Sequence, residues 1–381
     1  MDRAIQKIFR SSFEYYSAKR NVPLDHLRAA ESFMECRTSA LGGHIQSCKN
    51  RCEHHVQYHS CKHRSCPQCN FTATARWLEK QKKRVLHCPH HHVIFTLPHE
   101  FNDLWRFNKS RLMQLLFTVA KEVLFELLRD KKYLGADPGV IATFHSWGRN
   151  LVVHPHLHCL VTAGGLSPGG EWLEPKKSFL LPGAVVRDLF SGKYLANLKK
   201  LLLKGELVCP PEESVQRYLN RCNKLGRKKW NVRIEKRYDH PNGVINYLSR
   251  YVRGGPFKNQ QIKRVTSDVV EFHYFDHREK KQSSSNFTPD SFVASALEHV
   301  PPHRKQVIRY WGLYSGRRLA SRNEARIILG QALEESDDEF LDWQGCLEKI
   351  GVKDQGCCKV CHEPLKVVMD LPRPRPRSRD P

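Results

Sequence analysis

Apolar residues recur three and four positions apart at Ile5, Ile8 and Phe9, and this period predicts two helices within residues 3–35, separated at Asn21-Val22-Pro23. From 36 to 70 no period holds, and cysteine and histidine stand where aliphatic residues would be expected, so a loop-rich segment is predicted. Residues 73–85 read as a basic helix carrying Trp77, Lys80, Lys82, Lys83 and Arg84. The run His92-Val-Ile-Phe-Thr-Leu97 predicts a strand ended by Pro98. Leu112, Leu115, Leu116, Val119, Val123 and Leu127 form the stripe of a long amphipathic helix over 104–128. Strands follow at 139–147 and 154–163, the second closed by Gly164-Gly165. Residues 193–237 read as helical and basic with a strand at 231–236, and a helix is expected over 244–252. Further strands fall near 262–266 and 269–275, and helices at 289–297 and 321–333. The acidic run 334–342 reads as exposed helix or linker. The alternating Pro and Arg of 372–379 predict an extended tail. No internal repeat is visible.

A chain of 381 residues has room for two or three domains of roughly 150 residues. The pattern divides it at 1–85, 86–330 and 331–381. With 40% hydrophobic residues it can bury real cores. No apolar run approaches the ~20 residues of a membrane span, and residues 1–10 lack a secretory signal, so a cytoplasmic protein is expected. Charge changes the picture more. Sixty-three Lys and Arg against 39 Asp and Glu leave a net +24. Acidic substrates or membranes could answer such an excess, but nucleic acid is the favoured partner, because neutralising phosphates releases counterions. Residues 193–237 hold thirteen Lys and Arg against four Asp and Glu, among them Arg227, Lys228 and Lys229, all candidate phosphate contacts. Trp77 and Trp230 are candidates for stacking on bases. Charge alone does not separate an enzyme from a passive binder.

The fourteen cysteines fall into clusters, and a disulfide framework is not expected in a large chain without a secretory signal. Cys66-Pro-Gln-Cys69 can bite one tetrahedral zinc, and Cys48 with Cys52 is the expected matching pair. Cys36, Cys61, His44, His54, His55, His59 and His63 offer alternatives or a second site. The late Cys358-Lys-Val-Cys361 is half a site, with Cys346, Cys357 and His362 nearby. Cys88, Cys159, Cys209 and Cys222 read as incidental thiols.

Two further patterns suggest chemistry. In a strand, His154, His156 and His158 project to one face, while Pro155 and Leu157 face the other way. Three imidazoles favour zinc, manganese or another transition ion over magnesium. Such a strand suits hydrolytic zinc and metal-assisted phosphoryl transfer alike. In Tyr247-Leu-Ser-Arg-Tyr251 two phenols share one helix face, with Arg250 and Arg253 adding positive charge. The same spacing at Tyr310 and Tyr314 reads as aromatic packing. A metal that polarises a phosphate and a tyrosine that attacks it would together cut DNA while keeping the bond energy in a phosphotyrosine.

These residues resemble the two-tyrosine HUH transposases of rolling-circle insertion sequences over roughly residues 30–365. The resemblance is carried by Cys36-Arg-Thr-Ser-Ala-Leu-Gly-Gly-His44 and Ser60-Cys-Lys-His-Arg-Ser-Cys-Pro-Gln-Cys69, then by 92–98, His154-Pro-His-Leu-His158 with Gly164-Gly-Leu166, Tyr247-Leu-Ser-Arg-Tyr251 and residues 307–315. It implies an α+β fold: an HUH-endonuclease domain at 86–330 with a central antiparallel sheet and flanking helices. A small helical, zinc-binding and DNA-binding domain would precede it at 1–85, and an acidic linker, a CxxC knuckle and an Arg/Pro tail would follow at 331–381. It also implies an enzyme, with His156 and His158 as ligands of a catalytic Mg²⁺ or Mn²⁺, His154 as third protein ligand, Tyr247 and Tyr251 as nucleophiles, and Zn²⁺ on the cysteines. The substrate would be single-stranded transposon ends and target DNA, with no membrane and no small-molecule cofactor. This chain departs from the family in the wider gap between Cys48 and Cys52 and in Ser65, where a histidine is usual. A plasmid replication initiator or relaxase, a non-catalytic zinc-containing DNA-binding regulator and a zinc hydrolase are the alternatives.

Overall fold

The computed structural model describes residues 3–175, 180–239, 243, 255–276, 279–334, 345 and 356–374. Its centre is an antiparallel sheet of β3 (His90–Thr96), β4 (Asp137–Trp147), β5 (Val153–Leu166), β7 (Val232–Tyr238) and β11 (Ile308–Gly312) in the order β11-β4-β5-β3-β7, with the short β6 (Trp172–Leu173) paired to β5. The fold is α+β, as expected.

Side-chain alternation gives this sheet two different faces. Val93, Phe95, Val140, Ala142, Phe144, Leu157, Cys159 and Val161 all bury in one large core, covered by the long helix Lys109–Arg129 and the helices Gly183–Leu203 and Val215–Gly226. The intervening residues point the other way. There Ile141 and Leu160 join a smaller core with Leu313, Tyr314 and Ala325, from the segment that ends in helix Leu319–Ile328, and with Trp77 of helix Asn70–Arg84. Period-two alternation thus makes one strand serve both a hydrophobic layer and a polar site. Gly139 is needed here, because a Cβ at that position would meet the Tyr314 ring at 2.9 Å. The Tyr314 hydroxyl lies 2.6 Å from His90 Nε2 and accepts the Leu86 amide, so Tyr314 is a packing residue.

A second body of core gathers α1 (Ala4–Ala18), α2 (Leu24–Glu35), helix Pro289–Glu298 and the sheet β10-β9-β8 (Lys281–Phe287, Val270–Asp276, Ile262–Val265). Phe9 meets Phe33 edge to face at 5.2 Å, and Arg20 reaches Asp290 in a two-pronged ion pair. Gln6 caps the C-terminal end of α2, donating to the carbonyls of Phe33, Met34 and Cys36. The segment expected to be loop-rich contains β1 (Gly43–Ser47) and β2 (His54–Tyr58), and β12 (Lys366–Leu371) joins them in the order β12-β1-β2. The amphipathic stretch predicted as one helix is two, 102–107 and 109–129, broken at Asn108. The Asn108 side chain caps the join, donating to the carbonyls of Leu104 and Val208. Among the described residues, no helix is long and apolar enough to cross a membrane.

Candidate metal centre and nucleic-acid face

On the polar face of the sheet, register decides which side chains meet. His145 of β4 lies directly opposite His156 of β5, Thr143 opposite His158, and Ile94 of β3 opposite His158 on the other side. Metal-ligating atoms of His145, His156 and His158 lie within 4.8 Å of one another, and all three side chains are buried. His156 Nε2 and His158 Nε2 are 3.0 Å apart. His156 Nδ1 lies 2.6 Å from the carbonyl oxygen of His154, and a carbonyl can only accept, so the proton of neutral His156 is on Nδ1 and its Nε2 is a lone pair. His158 Nδ1 lies 2.8 Å from His92 Nε2. When it donates there, His158 also turns a lone pair toward the same point. Burial first, and then the neighbouring His145, hold both imidazoles well below their ordinary pKa. His92 is pushed down to about 4, again chiefly by burial. His156, His158 and His92 are therefore neutral at physiological pH, and lone pairs converging from such imidazoles fit a divalent cation.

The third imidazole that meets His156 and His158 is His145 and not the expected His154. His154 shares the face, but its ring stands beside His156 at 5.0 Å, at the outer end of β5. His145 reaches both partners, with ring centroids 5.4 Å from His156 and 4.7 Å from His158. Cross-strand neighbours sit ~5 Å apart, whereas same-face neighbours along a strand are separated by two residue rises. Register therefore favours His145 over His154. Counting back across the 148–152 turn would have found it; His92, which orients His158, needs the pairing of β3 as well.

The cysteines form two clusters, and the structure separates the two pairs that sequence spacing had joined. Cys66 and Cys69 meet Cys36 and Cys61, while Cys48 and Cys52 meet Cys358 and Cys361, each set within 4.8 Å. Sulfurs around tetrahedral zinc are ~3.8 Å apart for Zn–S bonds of ~2.3 Å, and Cys61 and Cys69 Sγ are 3.6 Å apart. Neither His44 nor His63 enters a cluster: His44 packs near His59, and His63 packs on Phe33 while its Nδ1 accepts the Ser65 amide. Arg37, Arg51, Lys62 and His362, each adjacent to a clustered cysteine, are four of the eight non-glycine residues with positive φ among the described residues. Such backbone persists where several constraints over-determine it.

Beside His145 a cavity of about 590 Å³ opens, lined by Lys62, Arg64, Trp77, Trp147, Arg304 and Lys305 among others. Trp147 stacks on His145 at 4.4 Å.

A family model described as "Putative transposase" matches residues 139–323, and one described as "Transposase zinc-binding domain", of the IS91 type, matches residues 8–97. "Putative transposase y4qJ" of Sinorhizobium fredii (strain NBRC 101917 / NGR234) is 30% identical over 96% of this chain and 95% of its own. "Transposase for insertion sequence element IS801" of Pseudomonas savastanoi pv. phaseolicola is 31% identical over 74% of this chain and 69% of its own. The chain belongs to the IS91 family of rolling-circle transposases. No solved structure matches it significantly.

An IS91-family transposase binds DNA, and the zinc-binding segment matched at 8–97 contains six of the eight clustered cysteines. Structural zinc follows from that match and from the thiol geometry together. Of the expected DNA contacts, Trp230 belongs to the core, where its indole donates to the Leu225 carbonyl. Trp77 is 8% exposed and donates to the Tyr310 hydroxyl, so it forms cavity wall and not a free stacking platform. Both were assigned by residue type, and their indole N–H groups found internal partners. Arg227, Lys228 and Lys229 are exposed, with Lys228 paired to Glu100. Tyr247, Arg250, Tyr251 and Arg253 lie outside the described residues.

Proposed function

We propose that this transposase nicks and rejoins single-stranded DNA through a covalent 5′-phosphotyrosine, with Tyr247 and Tyr251 as nucleophiles and His145, His156 and His158 as ligands of a catalytic Mg²⁺ or Mn²⁺. The observation that carries the reading is the pair of Nε2 atoms 3.0 Å apart, with the His156 tautomer committed by the His154 carbonyl. A bound divalent ion would supply Lewis-acid polarisation of the scissile phosphate. The His154 carbonyl holds His156 in the tautomer that ligation needs, and His92 does the same for His158 when it accepts from its Nδ1. A tyrosine phenolate attacks phosphorus, the bond to the sugar 3′-oxygen breaks, and that oxygen leaves as a hydroxyl. The second tyrosine repeats the step on the joining strand. Lys62, Arg304 and Lys305 line the cavity beside His145 and supply positive charge for the phosphate backbone. Such a reaction on DNA fits a cytoplasmic protein and needs no small-molecule cofactor.

The test is incubation with a single-stranded oligonucleotide and Mn²⁺ followed by denaturing electrophoresis. A denaturation-resistant adduct is expected, reduced in Tyr247→Phe or Tyr251→Phe and absent from the double variant. Nicking with no adduct in the native protein would overturn the covalent route in favour of hydrolysis. Binding with no nicking would favour a regulator.

A further inference from the structure

Cys358 and Cys361 lie outside both segments matched by the family models, yet the fold brings them to Cys48 and Cys52, more than 300 positions earlier. We propose that these four thiols form a second, separate zinc site, a clasp that fastens the C-terminal segment to the N-terminal zinc-binding segment. Four soft sulfur ligands within 4.8 Å of one another select zinc over magnesium or calcium.

Several independent features converge there. The Cys52 amide donates to Cys48 Sγ at 3.2 Å, and the Val360 amide donates to Cys358 Sγ at 3.4 Å. Amides aimed at sulfur favour the thiolate, the form that binds metal. Left-handed residues sit at Arg51, just before Cys52, and at His362, just after Cys361. A tight hairpin presents the late pair: Cys357 bridges Pro364, and the Leu365 amide donates to the Gly356 carbonyl. Glu53 accepts the Lys359 amide at 3.1 Å and so ties that hairpin to the first pair's loop. The strands run straight into the cluster, since Ser47, the residue before Cys48, pairs with Lys366 of β12.

Apolar burial does not explain why this segment is held. Val367, Val368 and Met369 of β12 are 54%, 58% and 57% exposed, and Val56 of β2 is 51% exposed. Ordering each backbone residue costs about 1–2 kcal/mol, and a small sheet with this much exposed apolar surface has little core to offset it. Metal ligation supplies the missing stabilisation in domains of this kind. The other cluster is placed differently, with Cys36, Cys66 and Cys69 buried in the core of α1 and α2.

The clasp is independent of the proposed DNA chemistry, and its test is a metal count. The full-length chain is purified without added metal, gel-filtered and analysed by plasma emission beside Cys358→Ser/Cys361→Ser. The variant should hold one zinc per chain fewer than the native protein. In cobalt-substituted protein, the sulfur-to-cobalt charge-transfer absorption should fall by half, from eight thiolates to four. Unchanged zinc and undiminished absorption in the variant would overturn the proposal. Loss of all the zinc would overturn the claim that the two sites are separate.

Discussion

The histidine triad and the two cysteine clusters each converge on a point the size of a metal ion, but different forces bring them there. His145 and His156 face each other across a ladder of three long strands, and the same strands bury Phe95, Phe144 and Leu157 on the opposite side. Hydrophobic burial and register fix the imidazoles before any ion arrives. Cys48, Cys52, Cys358 and Cys361 sit on turns between strands of five or six residues with exposed apolar side chains. Their sulfurs have little else to hold them. The Cys36 cluster lies between these extremes, since the core of α1, α2 and helix Pro289–Glu298 packs against it. The difference is one of order: at the sheet, folding makes the site, and at the clasp, the metal helps make the fold.

The largest effect that could break this contrast is on catalysis. Replacing His156 and His158 together by Ala should lower oligonucleotide cleavage by roughly 10³-fold or more, since a bound metal contributes several kcal/mol to the transition state. The melting temperature should change little, and DNA binding measured by gel shift should survive. A collapse of the fold in this variant would erase the distinction. Cys66→Ser should do the reverse, losing zinc and lowering the melting temperature, with the loss of cleavage following the loss of structure. A smaller effect tests orientation. His92→Ala removes the partner of His158 Nδ1 and should weaken Mn²⁺ binding by about 10- to 100-fold in titration calorimetry, with no loss of zinc. The last comparison sets two histidines on one face against each other, and its smallest effect is at His154. His145→Ala should weaken Mn²⁺ binding strongly, whereas His154→Ala should leave it nearly unchanged, because the His156 contact is to the His154 backbone carbonyl and survives the substitution. Equal losses would return His154 to the ligand set.

Much of the sheet was legible because alternation is a local signal. The placing of His156 and His158 on one face, opposite Leu157, follows from residue spacing, and so does the long helix stripe at Leu112–Leu127. His145 was missed because the third imidazole of the cluster comes from the register of a neighbouring strand, which a single strand's pattern does not contain. The cysteine pairs were mismatched for a related reason. Nearness along the chain joined Cys48 and Cys52 to Cys66 and Cys69, whereas the fold brings Cys358 and Cys361 back from the far end. Residue type misled at Trp77 and Trp230, whose indoles are committed to Tyr310 and Leu225. The packing reading of Tyr310 and Tyr314 agrees with the structure, where Tyr310 lies in β11 and Tyr314 in the turn after it, its ring close against Gly139.

The proposal stands or falls on whether the histidine face serves a tyrosine attack on DNA. Its most direct measurement is mass spectrometry of the adduct formed with single-stranded DNA and Mn²⁺, after protease and nuclease digestion. The modified peptide should contain residues 247–251, with the nucleotide on Tyr247 or Tyr251 and none formed by the His156→Ala/His158→Ala variant. Attachment to any residue outside 247–251, or an undiminished adduct in the histidine variant, would contradict it.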